Sequence, residues 1–334
     1  MGSNGDIATM PDETIQNALQ ELADLEKDFA AVEIDALRQK QYSLSDLYTR
    51  RAKHLNSIPN FWPTVLLNGP EEFTSTLSPR DADILQCITD LTIERYQIKS
   101  GSEGEPRSLR FTFTFDKSKN KFFEDEVVVK EFEFNGDVGG LVSKPVNLRW
   151  TKQGKKMGLG RLLDLAEGLW LAEEALVGSR EKGVKKVAVE QGEREGLWQY
   201  EKLREELERV EGEDDAGSWL DWFGYRGAVA VGEKKEVKKE ANGDTEEKNS
   251  DEEDDDDDGM LDVEIYPAGG EVAEVLAEDL WENVMDYFMR AQAEDELDED
   301  MDSDDDDAPE LVEAADFEGF EDDEKPPSKK QRRS

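Results

Sequence analysis

The sequence is poor in the two residue types that most often build compact reactive sites. Its 334 residues include one cysteine, Cys87, and one histidine, His54. A disulfide framework or a zinc site needs several such side chains, so a single chain can form neither. A serine–histidine–aspartate catalytic site would have to use His54. We therefore expect no metal, no cofactor and no enzymatic activity.

Long apolar stretches are also missing. No run of about 18 apolar residues, the length that spans a membrane as a helix, occurs in the chain. The first residues, MGSNGDIATM, lack the basic and apolar regions of a signal peptide. These absences predict a soluble intracellular protein in a reducing compartment, with no membrane partner.

Acidic charge is abundant and unevenly distributed. The chain holds 83 Asp and Glu against 41 Lys and Arg, a net charge of −42. Residues 251–324 contain 35 of the acids and one base, so this stretch carries −34 and the rest only −8. Such charge disfavours strong direct binding to nucleic acid or anionic lipid, because both are polyanions. A basic partner is expected.

Glycine and proline are absent from residues 12–57, which predicts one long helix. At 1.5 Å per residue it would be roughly 69 Å long, more than one small domain can cover. Its apolar residues recur at three- and four-residue steps, so we expect a second copy beside it in a homodimer. The alternative is a single extended helix lying on its own domain. The predicted dimerisation residues are Ile15, Leu19, Leu22, Phe29, Val32, Leu44 and Leu47.

The middle of the chain alternates apolar and polar residues between segments rich in turn formers. This pattern predicts four strands, at 90–98, 108–115, 126–134 and 145–150, and the short connections predict antiparallel pairing. The expected fold is α+β: a long helix, a four-stranded antiparallel sheet with helices on one side, and a disordered acidic tail. The predicted regions are a flexible end at 1–11, the helix at 12–57, the sheet-and-helix domain at 58–231 with a helical insertion at 151–216, a disordered linker at 232–260, a terminal helix at 261–293 and the tail at 294–334.

Four short segments resemble motifs of the SET branch of the nucleosome assembly protein family, in the same order. The resemblance covers roughly residues 12–150 and 217–324, and the insertion at 151–216 matches no motif. The segments are IPNFW at 58–62 with NGP at 68–70, NKFFE at 120–124 with KEF at 130–132, SWLDWF at 218–223 and EVAEVLAEDLWEN at 271–283. Glu282 and Val284 stand where that branch often has prolines, so the last helix is expected to run unbroken over 271–291.

The resemblance implies a histone chaperone. Members of this branch are headphone-shaped homodimers that bind core histones on acidic surfaces and promote nucleosome assembly without ATP, and an acetyltransferase is a further partner by resemblance. The rival interpretation is a coiled-coil transcriptional adaptor whose acidic tail recruits activators. A second alternative is a cofactor of a histone acetyltransferase.

Acids of the terminal helix are the first candidate histone-binding residues. Spacings of three and four residues place four glutamates on one face, and two aspartates flank it. The alternative is a solvated face without a partner. Asp221 is added because it lies at a position that matches a histone-contacting segment of the family. The predicted set is Asp221, Glu271, Glu274, Glu278, Asp279, Glu282 and Asp286.

The tail supplies a second candidate. Phe317 and Phe320 stand in an acidic stretch, where two aromatic rings could anchor the segment on a histone while the acids pair with basic residues. An acidic activation segment would show the same pattern. The aspartate runs at 254–258 and 304–307 are expected to act by charge alone.

The last residues, KPPSKKQRR at 325–333, are basic and predict nuclear import through Lys329, Lys330, Arg332 and Arg333. A chance cluster at a charged terminus is the alternative. Deletion of residues 325–334 should move the protein from the nucleus to the cytoplasm, as fluorescence microscopy of a tagged chain would show. Deletion of 304–313 is the control, and nuclear retention of the shorter chain would refute the assignment unless a histone cargo carries it in.

Overall fold

The computed structural model describes residues 12–179, 189, 191–211, 217–227 and 263–303. The predicted end at 1–11 and the linker at 232–260 lie outside these residues. The tail was predicted to be disordered from residue 294, but its first residues, 294–303, continue the last helix; the rest of the tail lies outside the described residues. The chain divides into two compact units, Met1–Ala291 and Gln292–Ser334. In the second unit, the described residues are the helical ones, 292–303. None of the described helices is both long and apolar enough to cross a membrane.

The long helix predicted from the sequence is present as α1, Asp12–Leu55, two residues shorter at its end than expected. Its C-terminal half contacts the rest of the unit: Leu55 is buried, Tyr48 packs on the core, and the Arg38 guanidinium donates to the carbonyl of Gly104. The first half exposes its apolar stripe, from 46% of Ile15 to 68% of Val32.

Short helices and a hairpin surround the start of the sheet. After α1 come α2 (Phe61–Leu67), α3 (Glu71–Thr74) and α4 (Pro79–Leu85), then β1 (Ile88–Glu94) and the small hairpin of β2 (Ile98–Ser100) and β3 (Glu103–Gly104). The first strand therefore ends at Glu94, although the sequence predicted it to continue to residue 98. A turn closed by the N–H of Ile98 on the carbonyl of Arg95 interrupts it.

The predicted four-stranded antiparallel sheet is confirmed. Strands β1, β4 (Leu109–Phe115), β5 (Val127–Asn135) and β6 (Gly140–Ser143) lie in the order β1-β4-β5-β6. Four β4 side chains face inward and are buried, namely Leu109, Phe111, Phe113 and Phe115. The Phe113 ring packs against Trp219 and Phe223 of the 3-10 helix Trp219–Gly224, so this face of the sheet is buried.

The fourth strand lies at 140–143, which corrects the prediction of 145–150. Beyond β6 the backbone leaves the sheet and bonds to the 3-10 segment: the N–H of Ser143 donates to Arg226 and that of Val146 to Phe223. Pro145 has no N–H to continue a ladder. The alternating residues after it still serve the core, since Leu148 is buried and Trp150 bridges to Phe123.

The described residues of the insertion at 151–216 are mostly helical. It contains α5 (Lys152–Lys156), α6 (Arg161–Ser179), α7 (Gln191–Glu195) and α8 (Trp198–Glu211). Helices α6 and α8 share a small apolar cluster with the residues that precede the last helices, made of Leu162, Ala166, Leu169, Tyr200, Leu203, Val263 and Ile265.

The terminal helix is interrupted, and the expectation of an unbroken helix is wrong. The chain forms α9 (Gly269–Val275), a π turn (Leu276–Leu280) and, after residues 281–283, α10 (Val284–Ser303). Arg51 of α1 explains the break, because its guanidinium binds the carbonyl of Trp281 at 2.6 Å and that of Glu282 at 3.5 Å. These tertiary bonds replace the helical bonds that the two carbonyls would otherwise accept.

Candidate functional site

The acids predicted on the terminal helix separate into an exposed group and a structural group. Glu271 and Glu274 of α9 and Asp286 of α10 are exposed, and none forms an ion pair with any residue that the structure describes. Burial, together with the neighbouring Glu278, raises the pKa of Glu274. Like charges that crowd a surface in this way favour the arrival of a cation.

Glu278 belongs to the exposed group but already has a partner. Its carboxylate lies 2.9 Å from the guanidinium of Arg95, while 60% of the Glu278 side chain is exposed. Arg95 is itself buried and also donates to the carbonyl of Pro106. The pair ties the π turn to the end of β1 and leaves one side of the carboxylate open to solvent.

Glu282 and Asp279 form the structural group. Glu282 accepts from Lys40 at 2.8 Å and from Gln41 at 3.0 Å, both on α1. Asp279 accepts from the Tyr287 hydroxyl at 2.6 Å. Burial and this bond raise the pKa of Tyr287 to about 12. These two carboxylates hold the break between the helices and are unavailable as a free acidic surface.

The π turn explains why Glu282 leaves the predicted face. In it the N–H of Trp281 bonds to the carbonyl of Leu276, five residues back. A π turn adds one residue to a helical turn and rotates everything that follows. Glu271, Glu274 and Glu278 therefore keep the helical spacing, while Glu282 turns toward α1.

Asp221 is a buried helix cap. Only 8% of the residue is exposed, and its carboxyl accepts from the N–H of Ser218 at 3.2 Å in a capping box of the 3-10 helix. It lies beside Asp81, which is fully buried and accepts from both Ser218 and Ser78. The sequence predicted that Asp221 contacts histones, whereas in the fold its side chain is buried and closes the capping box.

The 3-10 helix positions the acidic helix. Trp222 and Phe223 are completely buried, and the Trp222 indole N–H donates to the carbonyl of Gly269, the first residue of α9. The SWLDWF motif therefore fixes the start of the helix that carries Glu271 and Glu274. The candidate tail residues Phe317 and Phe320 and the basic cluster at 329–333 lie outside the described residues.

Sequence reasoning missed Lys130, the residue that joins these parts. Its buried ammonium donates to the carbonyls of Lys144, Phe223 and Tyr225 at 2.8 to 2.9 Å. Burial lowers its pKa well below the ordinary value, and Glu264 opposes that shift. A signal was present, because Lys130 alternates with Val128 and Phe132 on the buried face of β5.

Comparison with known proteins gives a match in the first half of the chain. The family model "nucleosome assembly protein (NAP)" matches residues 9–153, which run from α1 through the sheet into α5. A putative nucleosome assembly protein of Schizosaccharomyces pombe is 30% identical over 153 residues, 42% of this chain and 59% of that protein. Protein SET of Drosophila melanogaster is 31% identical over 150 residues, 42% of this chain and 51% of that protein.

Solved structures give a similar picture at lower identity. The histone chaperone Vps75 is 18% identical, with a TM-score of 0.46 over 84% of this chain and 99% of Vps75. Ccp1 is 22% identical, with a TM-score of 0.46 over 83% of this chain and 97% of Ccp1. The chain spans about half the length of the curated relatives it matches.

The fold is thus that of an α+β domain led by a long helix, with its acidic helix held against the sheet. Over residues 9–153 the chain is similar to the nucleosome assembly protein family. The acidic helix and the helical insertion lie beyond the matched residues.

Stability should depend on pH through Asp221. Burial, with Asp81 adding to it, raises the pKa of Asp221 from 3.8 to about 7, against the lowering effect of the Ser218 N–H. The folded chain therefore holds a proton that the unfolded chain releases. This stabilisation is complete below about pH 4 and is lost as the pH rises through about 7, with a slope of at most about 1.4 kcal/mol per pH unit.

The variant Asp221→Asn keeps an acceptor oxygen for Ser218 but does not titrate. The free energy of unfolding of the wild type, minus that of the variant, should fall between about pH 4 and about pH 7 in urea titrations. Asp137→Asn, an exposed substitution, is the control. Parallel pH dependence of wild type and Asp221→Asn would contradict the assignment.

Proposed function

We propose that the chain is a histone chaperone that binds core histones through exposed carboxylates and promotes nucleosome assembly without ATP. The observation that carries the proposal is the group of open acids at Glu271, Glu274, Glu278 and Asp286, fixed on a domain similar to the nucleosome assembly protein family. The charge of −34 on residues 251–324 acts in the same direction. A nuclear location agrees with this function.

The physical basis is competition between two anions for one cation. Core histones are basic and collapse onto DNA through its phosphates. Carboxylates that pair with the same lysines and arginines lower the free concentration of histone, so that deposition becomes reversible and selective. Because counterion release and screening govern both contacts, the balance depends on salt.

Exposed apolar side chains stand next to the open acids. Met285 and Met289 of α10 are 41% and 65% exposed, on either side of Asp286 and one turn apart. Methionine adapts its shape to irregular surfaces. An acidic rim beside such a surface suits a partner that presents both charge and apolar area, as a histone helix does.

Charge reversal should separate the open acids from the structural ones. The triple variant Glu271→Lys, Glu274→Lys, Asp286→Lys should weaken histone binding about tenfold near physiological salt, since each exposed pair contributes about 0.2–1 kcal/mol. Fluorescence anisotropy of a labelled histone dimer with the full chain measures this. Asp279 and Glu282 stay unchanged, because replacing them would break their bonds to Tyr287 and Lys40.

Reversal of Glu174, Glu205 and Glu208 is the matched control, because these acids are also exposed and the net charge changes equally. An equal loss of affinity in both variants would mean that charge alone decides binding. An unchanged affinity in the first variant would remove the folded surface from the proposal. Circular dichroism checks that both variants fold.

The acidic tail is proposed as a second contact. Phe317 and Phe320 would anchor it, and the acids around them would pair with basic residues of the histone. The rival, a coiled-coil adaptor with a recruiting tail, differs in one respect: its histone affinity would reside in the tail alone. The charge-reversal variant therefore also discriminates between the two functions.

We further propose that α1 forms a homodimer. Its stripe of Ile15, Leu19, Leu22, Phe29 and Val32 is exposed along about five helical turns, and such an apolar area on a monomer is unusual. Leu47 is half exposed and Leu44 half-buried nearer the domain, so the stripe continues toward it. A second copy of the helix would cover this surface.

Polar substitutions in the stripe should dissociate the dimer. The variant Leu19→Gln, Leu22→Gln, Phe29→Ser removes three buried contacts per chain and should halve the mass found by size-exclusion chromatography with light scattering. Glu21→Gln with Asp28→Asn is the control on the same helix. A monomeric wild type would end the proposal.

A further inference from the structure

Exposed lysines that form no ion pair with a described residue are grouped on this acidic protein. We call Lys119, Lys121, Lys152, Lys155 and Lys156 the lysine patch. All five are exposed, and none forms an ion pair or a side-chain hydrogen bond with any residue in the described part of the chain. Nearby bases differ in this respect, since Lys117 pairs with Glu126 and Arg149 with Asp125.

The patch is built from two segments that are fixed to one another. Lys119 and Lys121 lie in the turn between β4 and β5, and the other three lysines lie on α5. Thr151, the cap of α5, donates its N–H to the carbonyl of Phe122 and its hydroxyl to the carbonyl of Lys121. Gly154 lies so close to the Phe122 carbonyl that a side chain there would collide with it. The lysines therefore keep a defined arrangement.

The local sequence makes the patch unusual for this chain. Residues 149–161, RWTKQGKKMGLGR, contain five bases and no acid. Asp116 and Asp164, which lie close to it, already accept bonds from Ser118 and Trp150. Asp116 and Asp164 attract Lys119 and Lys155 electrostatically, but none of the five lysines forms an ion pair with a described residue. In a chain of net charge −42, such a group of exposed cations is complementary to a polyanion.

A second observation concerns the segment 228–262. Glu264, which is buried, accepts from the N–H of Arg226 at 2.9 Å and from that of Gly227 at 3.0 Å. The two flanks of the segment are therefore bonded to each other. The Arg226 guanidinium reaches Glu173 of α6, and Val263 packs in the cluster of α6 and α8. Both ends start beside α6, which begins five residues after α5 ends.

The acidic run DEEDDDDD at 251–258 is tethered within reach of the patch. Its last residue, Asp258, is five positions before Val263, and its first residue, Asp251, is twelve positions before Val263. At about 3.3 Å per extended residue these tethers reach roughly 17 and 40 Å. Lys156 is six positions before Leu162, so the chain between these two residues spans at most roughly 20 Å. Leu162 packs in the same cluster as Val263, the residue at which the tether ends.

We propose that the acidic run 251–258 of the same chain occupies the lysine patch when no histone is bound. Tethering gives the run an effective concentration in the millimolar range. A free polyanion such as DNA must instead approach a chain with a net charge of −42. Histones would compete with the patch for the run; this consequence rests on the proposed chaperone function, whereas the contact itself does not.

Zero-length cross-linking with a water-soluble carbodiimide tests the contact in the full chain. Amides between Lys152, Lys155 or Lys156 and residues 251–258, mapped by mass spectrometry, should form about fivefold more than amides at Lys53, given the tether. Lys53 is an exposed lysine of α1 that has no ion pair among the described residues. At about 1 M salt, where the Debye length is about 3 Å, the excess should vanish.

Amine footprinting supplies an independent readout. Substitution of Asp254 to Asp258 by asparagine should raise the acylation rates of the patch lysines about twofold to fivefold, which corresponds to pairs of about 0.4–1 kcal/mol. The rate at Lys53 should stay constant. Equal cross-linking at Lys53 and the patch, or unchanged footprints, would overturn the proposal.

Two further outcomes would name another occupant and so refute this one. These are patch cross-links that go mainly to residues 304–323, and binding of a short DNA duplex to the full chain that is lost in Lys152→Gln, Lys155→Gln, Lys156→Gln. The same triple variant should bind histone about threefold more tightly if the run is released. A chain that binds no histone would refute the chaperone function, and the cross-links would still decide the contact.

Discussion

The ammonium group of Lys130 connects three segments that are distant in the sequence. It lies inside the core and forms no ion pair with a described carboxylate, and three carbonyls, of Lys144, Phe223 and Tyr225, satisfy its three protons. Charge-assisted bonds of this kind are strong, and a buried ammonium that lost them would be costly. The contact therefore sets where the segment after β6 and the 3-10 helix meet β5. Through Trp222 and Gly269, the same joint positions α9.

Helix α1 imposes the second constraint. Arg51 lies between the rings of Tyr48 and Trp281, 4.7 Å from each centroid. Its guanidinium donates to the carbonyls of Trp281 and Glu282 at the helix break. Lys40 and Gln41 then hold Glu282. Glu282, which the sequence predicted to be an exposed acid, is thus a structural residue. Glu271 and Glu274, which precede the π turn, stay exposed. Glu282 is structural rather than exposed because side chains of α1 bind it.

The sequence predicted the long helix and the four-stranded antiparallel sheet, because each depends on local pattern. Absence of glycine and proline defines α1, and strict alternation defines β4. Errors occurred where a distant residue decides the structure. The fourth strand shifted because backbone groups of residues 143–146 find the 3-10 segment, and the last helix broke because Arg51 reaches its carbonyls.

Composition and periodicity determined the class of fold and the separation of charge into an acidic segment at 251–324 and a nearly balanced remainder, and four short motifs carried the resemblance to a family. Only the tertiary structure decided which acids are open and which are structural, that Asp221 is a buried cap, and that five lysines stand together. The reason is physical. Helical and strand patterns report how a residue relates to its neighbours within a few positions, whereas the state of a charged side chain depends on burial and on partners as far away as Lys40 is from Glu282.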